Sequence, residues 1–483
     1  MCSYLPKKPI QMCIVRLSVA GVLAWVSASA YGQEADSSDV MRGWSIVPRV
    51  TIAETFTDNV ALVNSGRQAE QITEISPGVR ITSDGSRVKA YLDYALSGVA
   101  YAQNSSPNRS QNALNTFGSI EALDQWLYLD FSGAISQQSI SAFGTQSSDE
   151  KLINPNKTEV ASYRVSPYFR GRLGSMVNYE ARYSRTLTHS NASEASGVAT
   201  SDSAVYLRGD TAFRSLNWSS NVNRQVIDYS AGRSTEADSV DAGLSYSVTP
   251  QFIVFANAGR ESSNYTSFDK QFYNTHSFGA SWFLTERTRF SVSQARRSFG
   301  ETHSLMFEHR TALTVWKITD TQDISAAPSQ TGILANDTNP GAPVISGFLS
   351  SAVSQQHRQD LSLTLLGIRD TVTFVAGGSE NRRLDTISSG IDDLSTSMVR
   401  QLGFSVDYLH RLTPDYSLEL FGSQQRTFDL LGLQDATLYL VNIKLTGTVG
   451  RYTTASVGAR RSVFNSVTSY DESAIFCNLT MQF

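Results

Sequence analysis

The chain has 483 residues, of which 41% are hydrophobic, 10% aromatic and only 17% charged, against roughly 25% charged in an average soluble domain. A formal charge of −4 offers no basic footprint for nucleic acid. Three cysteines, Cys2, Cys13 and Cys477, are too few for a Cys-ligated zinc site or a disulfide framework. Large β-sandwiches, solenoids and membrane β-barrels remain in play.

The N-terminus reads as an export signal. Lys7, Lys8 and Arg16 form a basic region, Leu17 to Val26 an apolar core, and Ala28-Ser29-Ala30 a small-residue cleavage site. The apolar core is about half the ~20 residues that a membrane helix needs. Residues 1–32 are therefore expected to be removed, which takes away three bases and no acids and leaves a charge of 37 − 44 = −7. Residues 33–43 read as a short polar periplasmic leader.

From Trp44 onward the pattern has period two. Trp44, Ile46, Val50 and Ile52 alternate with Ser45, Arg49 and Thr51. Ala161, Tyr163, Val165 and Phe169 alternate with Ser162, Arg164, Ser166 and Arg170, and Val177, Tyr179, Ala181 and Tyr183 with Asn178, Glu180, Arg182 and Ser184. The last segment is the clearest: Ile475, Cys477, Leu479, Met481 and Phe483 share one face. Such lengths suit bilayer-spanning strands of about 9–11 residues better than globular strands of about five or six.

The connections alternate too. Tight turns fall at Asp84-Gly85, Asp124-Gln125, Gly174-Ser175, Thr249-Pro250, Thr285-Glu286, Arg369-Asp370, Thr413-Pro414 and Gly450-Arg451. Between them lie longer polar stretches at 102–112, 138–156, 189–201, 261–270, 379–395 and 427–434. Short turns on one side and long loops on the other indicate a transmembrane barrel with periplasmic turns and extracellular loops. About 21 amphipathic segments can be counted, and an even number is required. The gap after Glu286 locates the missing one: a strand from Leu305 to Trp316, a turn at Thr319-Asp320 and a weak strand near 322–327. The expectation is an all-β outer-membrane barrel over 44–483 with about 22 antiparallel strands, or 18 to 20 if the segments near 113–124 and 204–213 are loops. Residues 328–352 become a long external loop or an inward constriction. Trp44, Trp126, Trp218, Trp282 and Trp316 fall near strand ends, where interfacial girdles are expected.

Phe483, ending an apolar strand face, resembles the C-terminal signature read by the barrel-assembly machinery of Gram-negative bacteria. The stretch WSIVPRVTIAETFTDNV and the later ISPGVRI resemble the opening of the outer-membrane proteins associated with PEP-CTERM systems, large β-barrels encoded beside exopolysaccharide and exosortase genes. The matching residues are Pro48, Thr55, Thr57, Asp58, Asn59, Ser76, Pro77 and Gly78, within about 40 residues of chain. The resemblance implies an outer-membrane place, partners in polysaccharide export or surface protein sorting, and no catalytic residues. Read from the residues alone, Asp58 and Asn59 are turn formers at the end of the first strand, with cation or sugar binding at the rim as the alternative.

No HExxH spacing or GxSxG elbow occurs among His189, His276, His303, His309, His357, His410 and the serines. His303 and His309 share a strand face, but would meet at a metal only if the strand bent. No enzyme activity, cofactor or metal is expected. If the apolar faces meet lipid, the lumen receives Arg80, Lys89, Asp93, Arg164, Arg170, Glu180, Arg182, Arg260, Arg400, Lys444 and Arg460. A base-leaning lumen would favour anionic or polar solutes; alternatively these charges pair and simply solvate a wide pore. The functional reading is a porin-like channel linked to exopolysaccharide export or surface protein sorting, with outer-membrane lipid around it. A general or nutrient-specific diffusion porin, a loop-driven adhesin-like barrel and a polymer-modifying enzyme are the alternatives.

Overall fold

The computed structural model describes residues 43–483 except 104–105, 175, 193–196, 231–232, 326–346, 351–352, 385–397 and 431. The expected signal and all of the leader but Gly43 lie outside the described residues, as does most of 328–352. The rest is one sheet of 22 strands: β1 (Trp44–Thr57), β2 (Glu70–Asp84), β3 (Val88–Tyr101), β4 (Arg109–Leu123), β5 (Leu127–Ser139), β6 (Lys157–Leu173), β7 (Val177–Ser190), β8 (Val198–Asp210), β9 (Leu216–Tyr229), β10 (Thr235–Thr249) and β11 (Phe252–Ser263). The second half comprises β12 (Gln271–Thr285), β13 (Thr288–Arg297), β14 (Gly300–Arg310), β15 (Thr314–Ser325), β16 (Ser354–Leu366), β17 (Asp370–Arg383), β18 (Met398–Arg411), β19 (Tyr416–Asp429), β20 (Asp435–Gly450), β21 (Thr453–Asn465) and β22 (Tyr470–Gln482).

Each strand pairs antiparallel with its sequence neighbours, and β1 closes the ring on β22 from Arg49↔Gln482 to Thr57↔Ala474. Closure leaves no sheet edge, which is the condition for a β-structure to sit in lipid. Even→odd connections span two to five residues, for example 85–87, 211–215 and 451–452, whereas odd→even connections, apart from 298–299, are mostly longer and reach 17 residues at 140–156 and 28 at 326–353. All eight anticipated tight turns lie on the short side.

The count of 22 stands, but one hairpin is placed differently. The turn lies at 311–313, and β15 already begins at Thr314. Thr311 accepts backbone N–H bonds from Leu313 and Thr314 through its side chain, so a Thr-centred turn stands where no Gly or Pro marks one. The segments near 113–124 and 204–213 belong to β4 and β8. Several loops begin later than their polarity suggested, because strands of up to 17 residues run past the apolar belt, where polar side chains suit both faces.

Directly opposed residues share a face, so the register sorts the whole wall. Ile52, Phe56 and Ile75 are exposed and outward, whereas their neighbours Ala53, Thr55 and Thr57 are buried and inward. The five tryptophans of the barrel lie within three residues of strand ends on the short-turn side, forming a girdle at that interface. The small core sits inside the ring at the long-loop end. Val60 and Leu62 from the first loop and Leu152 from the 140–156 loop pack on Ile72, Val99, Tyr101, Phe464 and Tyr470.

The opening motifs have structural work at the seam. Asn59 is buried; its amide donates to the carbonyls of Val63 (2.7 Å) and Asp471 (2.9 Å), while its carbonyl accepts from the Val63 N–H. Asp58 accepts from Ser473 N at 2.7 Å, and Thr57 Oγ1 donates to Glu472 at 2.9 Å. The expected turn chemistry is present, and it also fastens β1 to β22. Pro77 coincides with a gap in the β2–β3 ladder. At Gly78 a Cβ would stand 2.7 Å from the Tyr94 carbonyl oxygen, so only glycine fits.

Candidate functional site: the lumen and its inward loop

The loop between β5 and β6 turns into the ring. Ile140 N bonds to Asn156 O at its neck (2.8 Å), and Ile153 N reaches Val60 O (2.9 Å). Tyr101 donates to the Lys151 carbonyl (2.7 Å), Tyr470 to that of Gln146 (2.5 Å), and Arg109 to that of Glu150 (2.7 Å). These bonds satisfy a buried loop backbone that would otherwise be costly.

An ionic latch completes the attachment. Arg460 on β21 contacts Asp149 of the loop at 2.6 Å and Glu472 of β22 at 2.9 Å, with side-chain exposures of 9%, 6% and 0%. Lys151 adds contacts to Glu74 (3.4 Å) and Asp149 (3.8 Å). Burial alone would raise the Asp149 carboxyl, but the charges of Arg460 and Lys151 and the Lys151 N–H hold it below the usual carboxylate range. Burial pushes neighbouring Glu150 up.

Two further clusters line the same half. Tyr265 packs with Val198, Ile227, Tyr229, Ala237 and Val353, and donates its hydroxyl to Gln225 at 3.1 Å. Phe348 packs with Ala142 and Val399, and the 139–348 bridge joins β5 to the tail of the β15–β16 connection. The described part of the expected 328–352 loop, residues 347–350, thus packs inward against the 140–156 loop.

Nearer the short-turn end, the inner wall from β1 to β7 is polar and aromatic. Arg49 and Arg80 both contact Asp93, at 2.5 and 2.9 Å. Arg182 joins Asp130 (2.7 Å) to Glu180 (2.9 Å). Tyr128 and Tyr168 stack, with the Arg170 and Arg182 guanidinium groups over their rings at 3.9 and 3.8 Å. Arg164 donates to Ser166 and Ser184. A recess of about 530 Å³ opens here, lined by Tyr91, Phe117, Asp130, Arg164 and Arg182 among others.

Of the eleven residues expected in the lumen, the register puts Arg80, Lys89, Asp93, Arg164, Arg170, Glu180, Arg182, Lys444 and Arg460 on the inner face. Arg260 and Arg400 are corrections. Arg260 opposes exposed Val240 and lies over Phe272, and Arg400 bonds Glu380 beside exposed Leu402, both on the outer face. Both stand within three residues of long-loop strand ends, where alternation no longer reports which face meets lipid. The basic lean is reduced: Arg80, Lys89, Arg182, Lys444 and Arg460 each have a carboxylate partner, while Arg164 bonds serines and Arg170 lies over Tyr128. Sequence reasoning missed Asp149 and Glu472, which lie 311 and 12 residues from Arg460 and carry no local signal. Phe483 is 71% exposed, and its N–H bonds to the Pro48 carbonyl beside the seam.

No protein-family model and no curated protein matches the chain. Among solved structures it is similar to two variants of the FrpB iron transporter of Neisseria meningitidis. F5-1 aligns at TM-score 0.51 and 10% identity over 92% of this chain and 83% of that one. F3-3 aligns at 0.51 and 10% over 92% and 82%. A single-site mutant of the ferric enterobactin receptor PfeA of Pseudomonas aeruginosa aligns at 0.50 and 11% over 91% and 80%. The likeness is one of fold: a closed 22-strand barrel of the Gram-negative outer membrane.

Proposed function

We propose that the chain is a nutrient-specific outer-membrane channel whose lumen is narrowed by its own 140–156 loop. The observation that carries this reading is the latch of Arg460, Asp149 and Glu472, which holds that loop across the long-loop half of the ring. A loop clamped inside the ring narrows the path, and a narrowed path lined by fixed polar groups can discriminate among solutes. The paired charges and tyrosines beneath it offer hydrogen bonds and stacking surfaces to a polar solute without a strong field of either sign. The structural neighbours named as an iron transporter and a ferric enterobactin receptor make ferric chelates the first solutes to test. Uptake in a deletion strain, together with planar-bilayer recording of the purified barrel, tests the proposal. Low, interrupted conductance and impaired uptake are expected; a steady wide-pore current would overturn the reading.

A link to surface polysaccharide is the second reading, carried by the resemblance of the opening motifs. Its support weakens with the position of those residues, since Thr57, Asp58, Asn59 and Gly78 are engaged in the seam and the wall. Exported polysaccharide, measured in the same deletion strain, separates the two.

A further inference from the structure

The outer wall carries a polar group that transport through the lumen does not use. His303 on β14, Asp320 on β15 and His357 on β16 meet outside the barrel. Their direction follows from the register: Phe307↔Ile318↔Leu361 lies on the same face one step toward the short turns, as does His309↔Trp316↔Leu363 beyond it. We propose that these three side chains form a binding site for a divalent first-row transition metal ion, zinc first among them.

The geometry has three parts. Nε2 of His303 and Nε2 of His357 lie 2.9 and 2.8 Å from the same oxygen, Asp320 Oδ1. The three ligand atoms all fall within 4.8 Å of one another, and the two rings are inclined at 73° with centroids 5.1 Å apart, so they approach the carboxylate from different directions. Gln359 Nε2 donates to the other oxygen, Oδ2, at 3.1 Å, which fixes the carboxylate plane and leaves Oδ1 for the convergent pair. A tetrahedral ion with ligand bonds of about 2.0–2.2 Å separates its ligand atoms by about 3.3–3.5 Å. Each histidine–aspartate separation needs to open by only about half an ångström to take one, within reach of small ring rotations.

The chemistry fits as well. Two imidazoles and one carboxylate suit zinc, copper, nickel or ferrous iron and are a poor set for magnesium or calcium. Two neutral imidazoles and one carboxylate leave a bound dication with a single net positive charge, and three protein ligands leave a fourth position for water or an anionic oxygen. Gln359 acts as a positioning residue, and His309 takes no part, since it bonds Thr288 at 2.9 Å. Without an ion, both imidazoles must carry their proton on Nε2 to donate to one shared oxygen. An ion takes the place of those two Nε2 protons, each ring then keeping its single proton on Nδ1, and ties β14, β15 and β16 together. The site is independent of the transport reading, because it faces the other side of the wall.

The test uses the tag-free barrel, folded in detergent and checked by heat-modifiable migration. After chelator treatment it is titrated with zinc by calorimetry and with cobalt by visible absorption. One ion per chain is expected, with tetrahedral cobalt bands. His303→Ala and His357→Ala should each weaken binding at least tenfold, the lower end of what loss of a supporting group costs a metal site. Gln359→Ala should weaken it less than either. If Asp320→Asn fails to fold, the two histidine variants still decide the matter. Absence of one equivalent in the wild type, or equal affinity in the H303A/H357A double variant, would overturn the proposal.

Discussion

Two regions of the wall bring charged side chains together from distant strands, and they differ in what covers them. At the seam, Arg460, Asp149 and Glu472 face inward beneath a seventeen-residue loop and are almost wholly buried. On β14 to β16, His303, Asp320 and His357 face outward, between connections of two residues at 298–299 and 28 residues at 326–353, each about a third exposed. The side of the wall makes the difference. Inside the ring a loop can fold back, exclude water and turn an ion pair into a clamp, whereas a polar group on the outer face stays open to whatever lies outside.

The contrast predicts unequal responses to substitution. Arg460→Met should have the largest effect, about 3–5 kcal/mol, because it strands two buried carboxylates. The measurement is denaturant or thermal unfolding, with bilayer conductance rising as the 140–156 loop lets go; unchanged stability and conductance would erase the distinction between the regions. Asn59→Ala comes next, at about 1–3 kcal/mol, since it leaves the carbonyls of Val63 and Asp471 without their donor; a lower temperature of heat-modifiable migration is the readout.

The pH response sharpens the comparison further. The Asp149 carboxyl is depressed in the folded chain, so its contribution is full above the unfolded carboxyl value of about 3.9 and disappears only as pH falls through the lower folded value. Glu150 is raised by desolvation, although the residue reaches solvent, so its protonation precedes that of Asp149. Conductance should therefore be unchanged between pH 7 and about 5, and rise only below about 4. Opening at pH 6 would show that the latch is not what holds the loop. The smallest effect belongs to Lys89→Ala at the open short-turn end. Lys89 and Asp84 are 3.6 Å apart and largely exposed, so stability should move by less than about 0.5 kcal/mol.

Much of the wall was legible in the sequence because alternation is a local property. The faces of β1, β6, β7 and β22 follow residue by residue from Trp44, Tyr163, Val177 and Ile475, and nine of the eleven charges expected inside are on the inner face. Legibility failed where the solvent on the two faces became alike. Arg260 and Arg400 stand near the long-loop ends, where a charge is tolerated on either side. The turn at 311–313 escaped for another reason: a threonine hydroxyl, not Gly or Pro, shapes it.

The sequence by itself determined that this chain must be a barrel. Its low charge, period-two pattern and alternating loop lengths leave no other way to satisfy every backbone group while presenting an apolar coat. Only the tertiary structure decided what the barrel encloses and what it displays. Ring closure sets residues 412 positions apart, such as Asn59 and Asp471, in contact. It also lets one loop reach Arg460 and brings two histidines to one aspartate. Those contacts depend on register and on the direction in which a loop folds, which no local pattern of residues encodes.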